Sequence, residues 1–92
     1  MRQFRYCLMT FKRSELHTPN IKYDYIHFKT SDEQEAYDYA EQYSRSHEGL
    51  VVRLRLRRLR KELNKAEWST LISFYNGRLF GNSLIFKAGA RG

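Results

Sequence analysis

Three alternate arginines are the residues of this chain best suited to chemistry with an anion. Arg53, Arg55 and Arg57 alternate with apolar residues in a stretch that begins at Val52. Because successive side chains of a β-strand point to opposite faces, the pattern predicts a strand with one buried apolar face and one arginine face. A guanidinium pairs bidentately with phosphate or carboxylate and stacks on aromatic rings. The stretch therefore predicts a surface that binds an anionic partner.

Aromatic and basic residues share one face of another predicted strand, residues 21–30. Ile26 and Phe28 are expected to enter the core. The opposite face would carry Tyr23, Tyr25, His27 and Lys29. Such a face can stack bases and hold phosphates. Alternatively, the tyrosines pack against arginine stems across the sheet, and the sequence leaves both interpretations open.

Residues that could perform catalysis are scattered. His17, His27 and His47 belong to no paired-histidine motif, and the chain contains no glycine-rich phosphate loop, nucleophile elbow or zinc-type spacing. His27 or Glu62 beside the arginines could provide the acid–base group of a small toxin-like ribonuclease. Cys7, the only cysteine, is expected to be a buried hydrophobe. The sequence predicts a protein that is not an enzyme, with no cofactor and no metal, and the ribonuclease is the alternative.

Charge is unevenly distributed along the 92 residues, which carry a net charge of +7. Residues 24–48 contain seven of the ten acidic residues, whereas residues 53–65 contain seven basic residues and one acid. This segregation predicts one acidic and one basic surface, and a nucleic acid or ribonucleoprotein as partner. The sequence contains no signal peptide and no apolar run of membrane-spanning length, so we expect a cytoplasmic protein without a membrane partner.

The predicted elements begin with strands at 3–12 and 21–30, followed by a helix over 31–47 capped by Ser31. A third strand runs from Leu50 to about Arg57 and leads into an irregular or helical turn through Leu63. A second helix over 64–76 follows from an apolar stripe at helical spacing. That stripe contains Trp68, Leu71, Ile72 and Tyr75. A hairpin is expected at 79–87 around Gly81-Asn82.

The whole chain, 1–92, is predicted to be a single α+β domain. It has two layers: one mainly antiparallel sheet of four to five strands, with two helices on one face. The element order is β-β-α-β-α-β-β. A homodimer through the open sheet face or an edge strand is compatible with this architecture.

A resemblance to a known group of proteins lies in the run FKTSDEQEAYDYAEQYSRSHEGLVVRLRL. This strand, capped helix and returning strand, about residues 20–57, are similar to those of small phage-encoded anti-CRISPR proteins directed against type I surveillance complexes. The run contains no diagnostic motif, and many of those proteins are acidic, unlike this chain. The resemblance implies a non-enzymatic inhibitor that binds where such a complex exposes guide RNA or its DNA-binding surface.

The function predicted from the sequence is that of a small basic binding protein for nucleic acid or a ribonucleoprotein. The predicted binding residues are Arg53, Arg55, Arg57, Arg58, Arg60, Tyr23, Tyr25 and Lys29.

Overall fold

A single antiparallel sheet carries the arginine stretch in the computed structural model, which describes residues 2–81. The strands are β1 (Phe4–Lys12), β2 (Asp24–Thr30), β3 (Leu50–Arg60), β4 (Lys65–Tyr75) and β5 (Arg78–Leu79). One helix, α1 (Glu33–Ser46), lies between β2 and β3, and a short 3₁₀ turn at Arg13–Glu15 follows β1. The strand order is β2-β1-β3-β4-β5, and neighbouring strands are antiparallel. The α+β class and the antiparallel sheet are confirmed.

The core lies between the sheet and α1. Alternate residues of three central strands face the helix and are buried: Tyr6, Leu8, Val52, Leu54, Leu56, Ile72 and Phe74. Ala36 and Ala40 face them from the helix and are fully buried. Their small side chains allow the helix to approach the sheet closely. The predicted division of β3 into a buried Val52-Leu54-Leu56 face and an arginine face is confirmed.

The predicted helix over 64–76 is wrong, because this segment forms β4. It pairs with β3 from Arg60↔Lys65 to Val51↔Tyr75, with one bulge near Leu54. The apolar spacing fitted a helix, but the segment is rich in aromatic and β-branched residues that favour strands. Hydrogen bonding to the backbone of β3 along the whole segment favours the strand over the helix. The described residues therefore have the order β-β-α-β-β-β, with one α-helix rather than two.

β3 also extends further than predicted. Instead of ending near Arg57, it continues to Arg60, and the connection to β4 is a turn at Lys61–Asn64. Beyond Leu56, β3 has lost β1 as a neighbour and pairs only with β4. Neither face of this two-stranded ribbon is buried, because Arg58, Leu59 and Arg60 are all exposed. The alternation of apolar and charged residues can therefore break at Arg58 while the strand continues.

The β4–β5 connection is a tight hairpin turn at Asn76-Gly77. Both residues have positive φ, 53° and 80°, as a type I′ turn requires. The turn is attached to the end of the helix, because the Gly77 N–H donates to Ser44 Oγ over 2.9 Å. Leu79, a strand residue of the predicted hairpin, lies in β5. The predicted turn at Gly81-Asn82 and the returning strand extend into residues 82–87, which lie outside the described residues.

The helix is capped one residue later than predicted, by Asp32 rather than Ser31, and it runs from Glu33 to Ser46 instead of over 31–47. Asp32 Oδ1 accepts a hydrogen bond from the Gln34 N–H over 3.0 Å. Thr30 Oγ1 in turn accepts from the Asp32 N–H over 3.1 Å. A carboxylate at this position also suits the positive end of the helix dipole.

Candidate functional site

The side of the sheet opposite α1, here called the arginine face, brings together residues from four strands. These are Arg5, Cys7, Met9 and Phe11 on β1; Tyr25, His27 and Lys29 on β2; Val51, Arg53, Arg55 and Arg57 on β3; and Trp68, Thr70, Ser73 and Tyr75 on β4. None of these positions holds an aspartate or glutamate. The face therefore combines cations and aromatic rings without a carboxylate to neutralise them.

Two arginines of the central strand lie over apolar residues of β1. The Arg53 guanidinium stands 5.2 Å from the centroid of the Phe11 ring. Arg55 donates from Nη2 to the Trp68 carbonyl over 3.3 Å, and its Nη1 lies 4.0 Å from the Met9 sulfur. These two arginines thus pack on β1 at Phe11 and Met9, rather than against the tyrosines of the alternative interpretation.

Arg55 is only partly satisfied by these contacts. Its Nε is buried and has no hydrogen-bond partner among the described residues. Leaving a buried donor unpaired costs about 1–3 kcal/mol in typical proteins.

Aromatic rings form a second series of contacts along β2. Phe11 and Tyr23 meet edge to face at 5.5 Å, and Tyr25 stacks on His27 at 6.5 Å. His27 also contacts Trp68 edge to face, with ring centroids 5.7 Å apart. The predicted placement of Tyr23, Tyr25 and His27 away from the core is confirmed.

Two cavities open beside the ring contact between His27 of β2 and Trp68 of β4. The larger, about 420 Å³, is lined by Arg5, Tyr6, His27, Phe28, Lys29, Arg57 and Trp68. The smaller, about 230 Å³, is lined by Cys7, Tyr25, His27, Arg55 and Trp68. His27 and Trp68, whose rings are in contact, line both cavities.

The predicted site residues fall into two groups. Arg53, Arg55, Arg57, Tyr25 and Lys29 share the arginine face, and Tyr23 joins them through its contact with Phe11. The sequence prediction omitted Arg5 and Trp68. Arg5 could have been found from its place in the alternation of β1, whereas Trp68 required β4 to be recognised as a strand.

Arg58 and Arg60 do not belong to this surface, because strand alternation places them on the other side of the ribbon. Arg60 is also occupied: its guanidinium lies 3.0 Å from Glu62 Oε1 and 3.1 Å from Glu67 Oε2. Its hydrogen bond to Glu62 and the charge of Glu67 raise the pKa of Arg60. Glu62 is thereby held beside Arg60 in the β3–β4 turn, and it lines neither cavity.

The remaining candidates for catalysis or metal binding are Cys7 and clusters of acidic, histidine or cysteine side chains. Cys7 is 2% exposed, and burial raises the pKa of its thiol, which disfavours the nucleophilic thiolate. Residues 2–81 contain no cluster of three or more His, Cys, Asp or Glu side chains that could hold a metal ion. Within the same range, the helix is neither long nor apolar enough to cross a membrane.

The acidic residues of α1 lie on the far side of the molecule from the arginine face. Exposed carboxylates project from the helix and its cap at Asp32, Glu33, Glu35 and Asp38. Because the helix packs on the opposite face of the sheet, these carboxylates are separated from the arginine face by the core. The basic segment itself is divided, because Arg58, Arg60 and Lys65 lie on the other side of the sheet from Arg53, Arg55 and Arg57.

Comparison with protein-family models, curated proteins and solved structures finds no match to this chain. The resemblance to anti-CRISPR proteins therefore stays a prediction, and function has to be inferred from the geometry of the arginine face.

Proposed function

We propose that this protein is a small non-enzymatic binding protein that holds nucleic acid against its arginine face. The observation that carries the proposal is the composition of that face: four strands contribute cations and aromatic rings, and none contributes a carboxylate. Guanidinium groups pair with phosphates, and aromatic side chains stack on bases. One surface thus offers groups that bind both the phosphate and the base of a nucleotide.

Charge separation supports the same proposal. The carboxylates of α1 would repel a phosphate backbone, whereas the opposite side attracts it, so a nucleic acid is steered towards one orientation. A uniformly basic surface used only for solubility would not need this polarity.

The biological role we propose is inhibition of a ribonucleoprotein. The segment that resembles anti-CRISPR proteins includes β2, α1 and most of β3, and so it supplies much of the arginine face. Binding to exposed guide RNA or to the DNA-binding surface of a type I surveillance complex, in the cytoplasm of a phage-infected cell, would use that face without any catalytic step.

The first test is a charge-matched pair of triple variants. One variant replaces Lys29, Arg53 and Arg57 of the arginine face with Gln. The control replaces exposed Lys12, Arg58 and Lys65, which alternation places on the other side, and so removes the same charge. Because each lost phosphate contact is worth about 0.5 kcal/mol or more at an exposed site, the first variant should bind labelled single-stranded RNA and DNA roughly tenfold more weakly.

The salt dependence of these affinities gives an independent readout. Each phosphate contact contributes about 0.7 to the slope of log K against log[salt] for single strands, so the arginine-face variant should lose about 2 from that slope. The control variant should retain both affinity and slope. Equal losses in the two variants, with native circular dichroism in each, would show that binding follows net charge rather than the arginine face.

A small ribonuclease is the second candidate, because the larger cavity brings His27 beside Lys29 and Arg57. That cavity contains no carboxylate, so it offers no obvious second acid–base group. Prolonged incubation of end-labelled RNA with the pure protein distinguishes the two functions. Intact RNA supports binding alone, whereas cleavage that disappears in His27→Ala would establish the ribonuclease.

A further inference from the structure

A row of cations crosses the sheet at one end of the arginine face. Lys29 on β2 lies directly opposite Arg5 on β1. The pairing of β1 with β3 ends at Tyr6↔Leu56, and the residues that follow this pair, Arg5 and Arg57, line the same cavity. Arg57 in turn lies opposite Trp68 on β4. The three cations thus surround one cavity together with the indole of Trp68.

This row has no acidic partner among residues 2–81. The ion pairs of the described chain involve Arg45 and Arg60, neither of which belongs to the row. Like charges directly opposite each other on neighbouring strands are destabilising, and the effect persists unless a counter-charge is bound. A phosphate placed over the row would relieve this repulsion in the folded protein.

The larger cavity provides a place for the rest of a nucleotide. Its volume of about 420 Å³ lies within the roughly 300–1,000 Å³ usual for small-molecule sites. The three cations line it together with Trp68 and His27. The edge-to-face contact with His27 fixes the orientation of the indole. A half-buried, oriented indole beside a phosphate site is a stacking platform for a flat base.

We infer that this cavity accepts one unstacked nucleotide of a single-stranded nucleic acid, with its base against Trp68 and its phosphate on the Lys29-Arg5-Arg57 row. The inference rests on the proposed nucleic-acid binding and makes it more specific. In a duplex, both faces of each base are covered by its neighbours, so a base can enter the cavity only from a single strand, a loop or an end. The protein therefore prefers single strands to duplexes.

The experiment uses the fact that Trp68 is the only tryptophan of the chain. Its fluorescence is followed during titration with a uridine decamer, with a decamer of the same length that lacks bases, and with a blunt duplex. Affinity is measured separately by anisotropy of end-labelled strands. The uridine decamer should quench the emission with the midpoint found by anisotropy, whereas the abasic strand and the duplex should bind more weakly and leave the emission nearly unchanged.

Two substitutions separate stacking from folding. Trp68→Ala should weaken binding of the uridine decamer roughly 5- to 150-fold, the range found for losing one stacked base. Trp68→Phe, which keeps a flat ring, should recover most of that affinity. Neither should alter binding of the abasic strand, which therefore reports a folded, charged surface in each variant.

The outcomes distinguish the cavity from the general function. Tight binding by anisotropy with unchanged tryptophan emission, or equal affinity of Trp68→Ala, would overturn the nucleotide site while leaving the arginine face as a binding surface. Equal affinity for duplex and single strand would overturn the strand preference. Failure of every probe to bind would remove both the site and the proposed function.

Discussion

For single residues, the sequence pattern was most informative about which side chains are buried and which are exposed. Strict alternation from Val52 to Arg57 placed its apolar residues in the core and its arginines on the other face, and the structure confirms this division. The pattern could not show that the Nε of Arg55 would be buried without a partner among residues 2–81. That depends on Met9 and the Trp68 carbonyl, which lie far away along the sequence.

Cys7 provides a prediction at this scale. The thiol is 2% exposed, so it should react with an aromatic disulfide reagent at pH 8 at least about 100-fold more slowly in the folded protein than in urea. Because Cys7 is the only cysteine, the absorbance change reports this residue alone. Equally fast reaction with and without urea would contradict the burial of the thiol.

The same burial makes stability depend on pH in a defined direction. Desolvation raises the pKa of the Cys7 thiol in the folded state, so folding favours the protonated form. This contribution is fully present below the pKa of the unfolded thiol, about 8.5, and is lost as pH rises through the folded pKa. Urea denaturation between pH 8 and pH 10 should therefore show a steeper loss of stability in the native sequence than in Cys7→Ala.

At the scale of elements, β4 shows why local spacing was insufficient. Trp68, Leu71, Ile72 and Tyr75 have helical spacing, which predicts a helix over 64–76. The Asn76-Gly77 pair is also the strongest short signal for a hairpin, and in the structure both residues have the positive φ that this turn requires. The turn signal identified the fold of this segment, and the apolar stripe did not.

Two glycine substitutions test how this turn contributes to stability. Gly49 and Gly77 both have positive φ, 88° and 80°, so alanine is strained at either position by about 1–2 kcal/mol. A Cβ at Gly49 would meet nothing within 4 Å, whereas one at Gly77 would stand 2.9 Å from Arg45 Nε. Gly77→Ala should therefore lower the urea midpoint more than Gly49→Ala. Equal midpoints would mean that Arg45 moves aside without cost.

At the scale of the whole molecule, the sequence predicted the separation of charge better than the number of helices. Acidic and basic segments were distinct along the chain, and a single helix on one side of a sheet is enough to separate the acidic residues of α1 from Arg53, Arg55 and Arg57. The candidate site was less predictable, because the row formed by Lys29, Arg5, Arg57 and Trp68 takes one residue from each of four strands. Only the strand order brings them together.

Screening gives a prediction for the acidic side of the molecule. Replacing Glu35 with Gln and Asp38 with Asn removes two exposed carboxylates from α1 without touching the arginine face. At physiological salt the Debye length is about 8 Å, so the repulsion between these distant carboxylates and bound nucleic acid should be largely screened. The dissociation constant should therefore change by less than about twofold. At 20 mM salt the variant should bind more tightly. A large change at physiological salt would mean that the helix contacts the nucleic acid.

The strand order also determines how the chain must fold. β1 lies between β2 and β3, and Tyr6 pairs with Leu56, 50 positions later in the chain. Closing a long loop is costly in entropy before any contact forms, so this central seam is expected to set the folding rate. During synthesis, β1 and β2 leave the ribosome before β3. Until β3 has been translated, the other edge of β1 keeps its backbone N–H and C=O groups unpaired, and another chain can pair with it and aggregate.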